Sequence, residues 1–361
     1  VPTITDRLVS FPTRPRADRA AVLCGLAGWL PPRVVTNEEL SQRLDTTDAW
    51  IRTRTGIGRR HIADPGQATS DLAVEAGRRA LAAAHRDHVD AVIVTTTTPD
   101  RSCPATAPLV ASRLGLTGAA AFDVGAVCTG FVYGLASAAG LITARVADSV
   151  LLIGADTYST IVDPQDRANA IIFGDGAGAV VLRAGDPDEA GAVGHFDLGS
   201  DGTGEELISV AAGGSRQRAT PGPVDPRDRY FAMRGKEVYR HAVTRMAASA
   251  RATLALADCK VDEVDHLVPH QANLRILRTV ADDLGLPAER LVVNVDSVGN
   301  TGAASIPLAL ADADTQHILQ PGERLLLTAF GGGLTWGSCL LTWPAPPRTS
   351  HPHDSGGTQA V

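Results

Sequence analysis

The chain has 361 residues, enough for one large or two medium domains with a substantial core. A net charge of −7, with 44% hydrophobic and 20% charged residues, excludes a basic nucleic-acid footprint and fits a soluble globular enzyme. Aromatics supply only 4% while glycines number 36, so the core must be built from Ala, Val and Leu with close backbone approach.

Residues 1–19, rich in Pro, Arg and Thr, predict a flexible N-terminal arm. Ala20 to Leu30 superficially resembles a signal-peptide core, but Gly25, Gly28 and Pro31-Pro32 fit a strand and turn. No window reaches the roughly 18 continuous apolar residues of a membrane span. Helices are predicted over Ser70 to Ala84, with Ser70 as N-cap, over Ala105 to Leu114 and over Phe131 to Ala144. Strands are predicted over Ala91 to Val94, Ala120 to Val124 and Ser149 to Ile153, and a hairpin-like pair, 171–173 with 177–182, around Gly174-Asp175-Gly176.

The second half repeats the rhythm. Glu237 to Leu256, Asn273 to Leu284 and Ser305 to Asp314 read as helices, and His266 to Val268, Leu291 to Val293 and Leu325 to Leu327 as strands. The expected organisation is a half over 20–190, a second over 191–344 and a disordered tail over 345–361, in which His351 and His353 are solvated. Residues 199–229 form a long insertion of the kind that borders binding sites.

Cys24, Cys103, Cys128, Cys259 and Cys339 are scattered, without a Cys-x-x-Cys pair. That argues against disulfides and structural zinc and predicts a reducing, cytoplasmic setting. Cys128 lies between a strand and a buried helix, where a helix N-terminus can lower a thiol pKa from about 8.5 toward 7. His270, in Pro269-His270-Gln271-Ala272-Asn273, and Asn300, in Gly299-Asn300-Thr301-Gly302, also read as strand-end residues, where α/β sheets bind ligands. Phe330-Gly331-Gly332-Gly333 offers unobstructed backbone N–H groups for an oxyanion. Gly174-Asp175-Gly176-Ala177-Gly178 precedes a strand rather than a helix, which argues against a dinucleotide site. Pro269 breaks the zinc-like spacing of His266 and His270, so no metal is expected.

These segments, in this order, resemble the thiolase superfamily and specifically the β-ketoacyl-acyl-carrier-protein synthase III family, over about Val22 to Trp343. Trp50 to Ile57 and Ile171 to Ala179 carry two further motifs of that family. The resemblance implies an α/β, thiolase-like fold of two duplicated βα halves packed as α-β-α-β-α layers. It implies a homodimer that uses coenzyme A or phosphopantetheine thioesters, with no permanently bound cofactor and with acyl carrier protein as partner. Cys128 would be acylated, His270 and Asn300 would hold the second thioester, and the N–H groups of Cys128 and Gly332 would form the oxyanion hole beside Phe330. Trp50, Arg54 and Arg167 would grip coenzyme A, Thr55 and Asn273 would lie near the pantetheine, and Lys236, Arg240 and Arg275 would face the carrier protein.

Several positions depart from the pattern. Cys103 stands where an aromatic residue commonly closes the partner's acyl pocket, which predicts a roomier pocket. Tyr158 replaces an aliphatic residue beside the acyl chain, Ala168 a glycine, Gly302 a serine and Leu334 a phenylalanine. These changes point to a specialised, polyketide or antibiotic pathway. Two activities follow: decarboxylative condensation of a Cys128-bound acyl group with malonyl carrier protein, or transfer of a bulky or aromatic acyl group to a hydroxyl, amine or thiol. A papain-like hydrolase shares the Cys-His-Asn order but leaves the glycine-rich turn unexplained.

Overall fold

The computed structural model describes residues 18–344 and the backbone of Thr349–Ser350, so most of the expected arm and tail, His351 and His353 included, lies outside the described residues. The chain opens with strand β1 (Ala20–Trp29), strand β2 (Arg33–Thr36), helix α1 (Asn37–Ser41), helix α2 (Asp48–Thr55) and strand β3 (Arg59–Ile62). There follow α3 (Thr69–Ala83), β4 (Ala91–Thr95), α4 (Ala107–Arg113), β5 (Ala120–Val124), α5 (Gly130–Thr143), β6 (Ser149–Asp156) and β7 (Gly176–Gly185). After β8 (Ala192–Ser200) come the short β9 (Ile208–Val210), α6 (Ser215–Ala219) and β10 (Phe231–Met233). The remainder is α7 (Gly235–Leu256), β11 (His266–Pro269), α8 (Leu274–Leu284), α9 (Val295–Val298), α10 (Ser305–Thr315), β12 (Arg324–Gly331) and β13 (Thr335–Thr342).

Local chemistry sets these limits. Thr47 caps α2 by accepting the Trp50 N–H at 3.2 Å, and Gly56, at φ +81°, ends the helix in the left-handed region. Helix α5 carries no charged residue and is apolar nearly all round, the pattern of a helix enclosed by other elements. Strand β6 is buried along its whole length.

The main strands join in the order β11-β12-β13-β8-β1-β7-β6-β4-β5. In the first half β4 pairs parallel with β5 and β6, and β7 runs antiparallel to β6 and β1. The second half repeats this: β12 is parallel to β11 and antiparallel to β13, β13 is antiparallel to β8, and Leu291 forms a parallel bridge to Leu267. The halves meet edge to edge through Ala21↔Val193 and Val22↔Ala192.

Three cores show the layering. Phe131, Leu135 and Ile142 of α5 and Ile306 and Leu310 of α10 pack between Leu152 and Leu182 of one half and Leu327 and Leu341 of the other. Leu72 of α3 and Val110 of α4 cover the outer face at Val92 and Leu151, while Met246 of α7 and Leu277 of α8 cover Leu267 and Leu326. The result is the thiolase-like arrangement of five alternating layers.

Three sequence expectations need correction, and the long insertion shows internal order. Ser70 is not the N-cap of α3: the helix starts at Thr69, and Asp71 reaches back to accept the Ala68 N–H at 2.7 Å. Residues 171–173 form no hairpin with β7; Phe173 makes only a bridge to Asn300, and β7 pairs instead with β1 and β6. Leu291 to Val293 contributes a single bridge rather than a strand, because residues 288–290 form a 3₁₀ turn. The insertion over 199–229 is ordered by its own short elements, with β9 paired to β10.

Gly154 on β6 marks where the halves touch most closely, since a Cβ there would stand 2.3 Å from the Ala303 carbonyl oxygen. Gly154→Ala should lower stability by about 1–3 kcal/mol or more, read as a lower urea midpoint. Gly140, on the open face of α5 with nothing within 4 Å, should gain roughly 0.5–1 kcal/mol on replacement by Ala.

Candidate active site

Strand β5 ends at Val124, and a 3₁₀ turn over Val127–Thr129 places Cys128 just before α5. Val127 has φ +48°, a left-handed conformation that a β-branched residue rarely adopts, so the turn that carries Cys128 is strained. Asp123 anchors the strand end by accepting the N–H groups of Thr106 and Ala107, each at 2.7 Å. The Thr129 hydroxyl bonds the Thr335 hydroxyl at 3.0 Å, and the single Thr335 O–H has the carbonyls of Gly332 (3.1 Å) and Ala126 (3.3 Å) within donating distance.

Those contacts dock the β12–β13 hairpin against the Cys128 turn. Phe330 pairs with Trp336 and Gly331 with Thr335, leaving residues 332–334 as the turn. A Cβ on Gly331 would lie 2.9 Å from the Cys128 nitrogen, whereas one on Gly332 would meet Ile208 at 3.1 Å. Bare backbone is therefore required where the hairpin faces Cys128. Phe330 is buried in the core beneath α7 and α8.

Burial pushes the Cys128 thiol up to about 12, and the nearby Asp156 carboxylate adds to this, against the Tyr158 hydroxyl and the Cys128 N–H. The expected low thiol pKa is thus not met in this unloaded geometry, because desolvation outweighs the hydrogen bonds that favour the thiolate. Tyr158 is fully buried, with its hydroxyl 3.9 Å from the Cys128 sulfur and 3.3 Å from Thr97 Oγ1. Its ring stacks on Phe173 at 4.5 Å and meets the Phe231 edge at 5.7 Å.

His270 follows β11, buried, with its N–H donating to the Thr328 carbonyl at 2.8 Å. Its Nδ1 is buried without a partner, and burial lowers the imidazole to about 3. Asn300 does not follow a strand: it comes after the single turn α9 and bridges to Phe173. Its Oδ1 accepts the Gly302 N–H at 3.0 Å, and its backbone N–H donates to Ile172 at 2.9 Å.

Two residues absent from the sequence reasoning hold these loops. The Asp156 carboxylate accepts from the N–H groups of Thr97 (2.7 Å), Thr98 (3.2 Å) and Ala303 (2.8 Å) and the hydroxyls of Thr96 and Thr98 (both 3.1 Å). Burial raises its pKa to about 6 despite these bonds. An aspartate closing the apolar strand β6 was the available signal. Gln271 donates its side-chain amide to Pro269 and Val292, accepts from Asn294 and Val295, and gives its backbone N–H to Ser305 Oγ at 2.6 Å. The His270 loop is thereby fixed to the start of α10.

The peripheral residues divide. The Arg167 guanidinium lies 4.3 Å above the Trp50 ring and Arg54 lies 5.6 Å from it, so two exposed arginines gather on one half-buried indole. Asn273 caps α8 and donates to the Arg54 carbonyl at 3.1 Å. Thr55 is buried, its hydroxyl donating to Ile51 and accepting from Ile57, which spends both capacities on the end of α2. Lys236 and Arg240 are exposed one turn apart on α7, and Arg275 of α8 lies 5.8 Å from the ring of Tyr239. Cys103 is exposed in the loop before α4. Among the described residues no group of three or more His, Cys, Asp or Glu side chains could hold a metal ion, and no helix is long and apolar enough to cross a membrane.

Comparison with known proteins places this geometry in a family. Models of 3-oxoacyl-[acyl-carrier-protein (ACP)] synthase III match residues 122–202 and, for its C-terminal part, 254–343. The β-ketoacyl-[acyl-carrier-protein] synthase III 5 of Streptomyces coelicolor is 60% identical over 90% of this chain and 98% of its own length. The solved 3-oxoacyl-(acyl carrier protein) synthase III of Pseudomonas aeruginosa PAO1 superposes with a TM-score of 0.84 at 54% identity, covering 90% of this chain and 98% of that one. The priming β-ketosynthase of the R1128 polyketide pathway also reaches 0.84, at 34% identity over 92% of this chain and 99% of its own. The chain belongs to the β-ketoacyl-[acyl-carrier-protein] synthase III family and is an acyl-transferring enzyme.

Proposed function

We propose that the enzyme loads an acyl group onto Cys128 from acyl-coenzyme A or acyl carrier protein and condenses it with malonyl carrier protein. In this reading the 20–190 half carries the nucleophile and the 191–344 half carries His270 and Asn300. Loading exchanges one thioester for another, and the Cys128 proton leaves with the departing thiol. The malonyl C–CO2 bond then breaks, its electron pair forms the enolate, and the enolate carbon attacks the Cys128 thioester. Collapse of the tetrahedral adduct expels the Cys128 sulfur, which regains a proton.

The observation that carries this reading is the isolation of His270. Among the described residues no carboxylate or other group partners its buried Nδ1, and burial favours the neutral ring, which in the Nε2–H tautomer would donate toward a thioester oxygen. Transfer to a hydroxyl or amine would instead ask His270 to act as a general base and carry a proton, which its burial disfavours. Asn300 supplies the second polar group, its Oδ1 held by Gly302.

Half-buried Trp50 with the exposed Arg54 and Arg167 suits the adenine and phosphates of coenzyme A, and Lys236, Arg240 and Arg275 suit an acidic carrier protein. The roles of Gly332 and Phe330 follow from the docked hairpin, although Gly331 rather than Gly332 lies against the Cys128 nitrogen. The exposed Cys103 loop fits a homodimer in which it reaches the partner's site. The likeness to a priming ketosynthase supports a role in starting a specialised pathway.

Replacing Asn300 by Ala should cut CO2 release from malonyl carrier protein by about 10²- to 10³-fold while leaving acylation of Cys128, followed by intact mass, within a few-fold of wild type. Unimpaired CO2 release would remove Asn300 from the condensation step. Alkylation of unloaded enzyme at Cys128 by iodoacetamide should rise about tenfold per pH unit from pH 7 to 9, because only the scarce thiolate reacts. A plateau below pH 8 would show that the α5 N-terminus overrides burial.

A further inference from the structure

A second pocket of about 380 Å³ lies between α1, the β2–β3 hairpin and the 159–173 segment. None of Trp50, Arg54, Arg167, Cys128, His270 or Asn300 lines it. Three arginines, Arg33, Arg43 and Arg60, stand against a single carboxylate, Glu39, which Arg33 already engages at 3.1 Å. Two guanidinium charges are left without an anion among the described residues.

Arg60 is the anomaly. It is only 1% exposed, yet every acceptor on it is neutral: the carbonyls of Val35 (3.3 Å) and Ile171 (2.7 Å) and Asn37 Oδ1 (2.9 Å). Its Nε is buried with no acceptor at all. A buried cation normally keeps a hydrogen-bonded counter-charge, since desolvation is otherwise uncompensated. Arg43, on the rim, spends one N–H on the Pro164 carbonyl at 2.6 Å and faces the same space. Leu40, Ile62, Val162, Ala170 and Phe173 make the rest of the wall mainly apolar, and the hydroxyl of the one other polar residue, Ser159, is spent on Asp175.

We propose that this pocket binds a carboxylate with an apolar body, a medium-chain fatty acid in chemical class, the head between Arg43 and Arg60 and the tail toward Phe173. The inference stands apart from the condensation reading, because it concerns binding without chemistry. It reaches the active site through one ring: Phe173 stacks on Tyr158 beside the nucleophile and bridges to Asn300. Occupancy of the pocket fixes that ring and so acts on the site from behind.

Calorimetry of the full, unloaded chain with sodium octanoate tests this. The expected result is one saturable site, weakened at least tenfold by Arg43→Gln, a variant of an exposed side chain whose folding circular dichroism checks. Sodium acetate and octan-1-ol, each lacking one half of the ligand, should each bind at least tenfold more weakly. Absence of saturable binding overturns the proposal. So does an affinity unchanged in Arg43→Gln, or one abolished by coenzyme A or by alkylation of Cys128, which would place octanoate in the thioester channel. Because the readout is heat of binding, a failed condensation assay leaves it intact, and the reverse also holds.

Discussion

One buried carboxylate organises the catalytic end of this protein. Asp156 closes β6 and gathers N–H and hydroxyl donors from the 96–98 loop on one side and Ala303 on the other. Four of these donors converge on Oδ1 and Ala303 holds Oδ2, which offsets part of the cost of keeping an anion in an interior where an unpaired one would neutralise itself. The cost of burial is visible in its raised pKa, and the gain is a fixed relation between the two halves of the fold. Gly302 follows from the same constraint: at φ +58° its absent Cβ would stand 2.3 Å from Asp156 Oδ2 and 2.4 Å from Tyr158 Cε2. The serine expected at that position has no room once a tyrosine fills the space.

Around this anchor the site is held by backbone and hydroxyl contacts rather than ion pairs. Thr129 and Thr335 clamp the glycine hairpin to the nucleophile turn, and Gln271 with Ser305 clamps the histidine loop to α10. Neutral bonds of this kind are insensitive to salt and leave the local potential to the few groups that react. Tyr158, Phe173 and Phe231 form a dense aromatic floor beside Cys128, so an acyl chain must displace or skirt it, whatever the exposed Cys103 loop contributes. The roomier pocket expected from Cys103 is therefore opposed, within a single chain, by this cluster.

Much of this was legible in the sequence because it depends on local patterning. The apolar run of β6, the charge-free α5, and the residues Cys128, His270 and Asn300 with their glycines can each be read from a short window. What stayed hidden depends on partners far apart in the chain. Asp156 finds Ala303, Phe173 finds Asn300, and Thr55 turns out to serve its own helix end, none of which a local period encodes. Leu291 to Val293 looks like a strand on composition, yet the preceding turn leaves it room for one bridge only. The Cys128 thiol shows the same division: the helix start that would lower its pKa is a sequence feature, whereas the desolvation that raises it belongs to the folded surroundings.

The repeat of strand order across the two halves carries a consequence for how such a site can originate. Helices α5 and α10 occupy matching places, each entered through a 3₁₀ turn, Val127–Thr129 in one and Gly302–Ala304 in the other, and Gly130 lies against Ala303 where they meet. Two copies of one plain ancestral unit, docked this way, would already point two helix N-termini at a single crevice. That crevice favours an anion before any reactive side chain is present. A sulfur on one matched loop and a carboxamide beside the other thus stand before the same pair of helix starts.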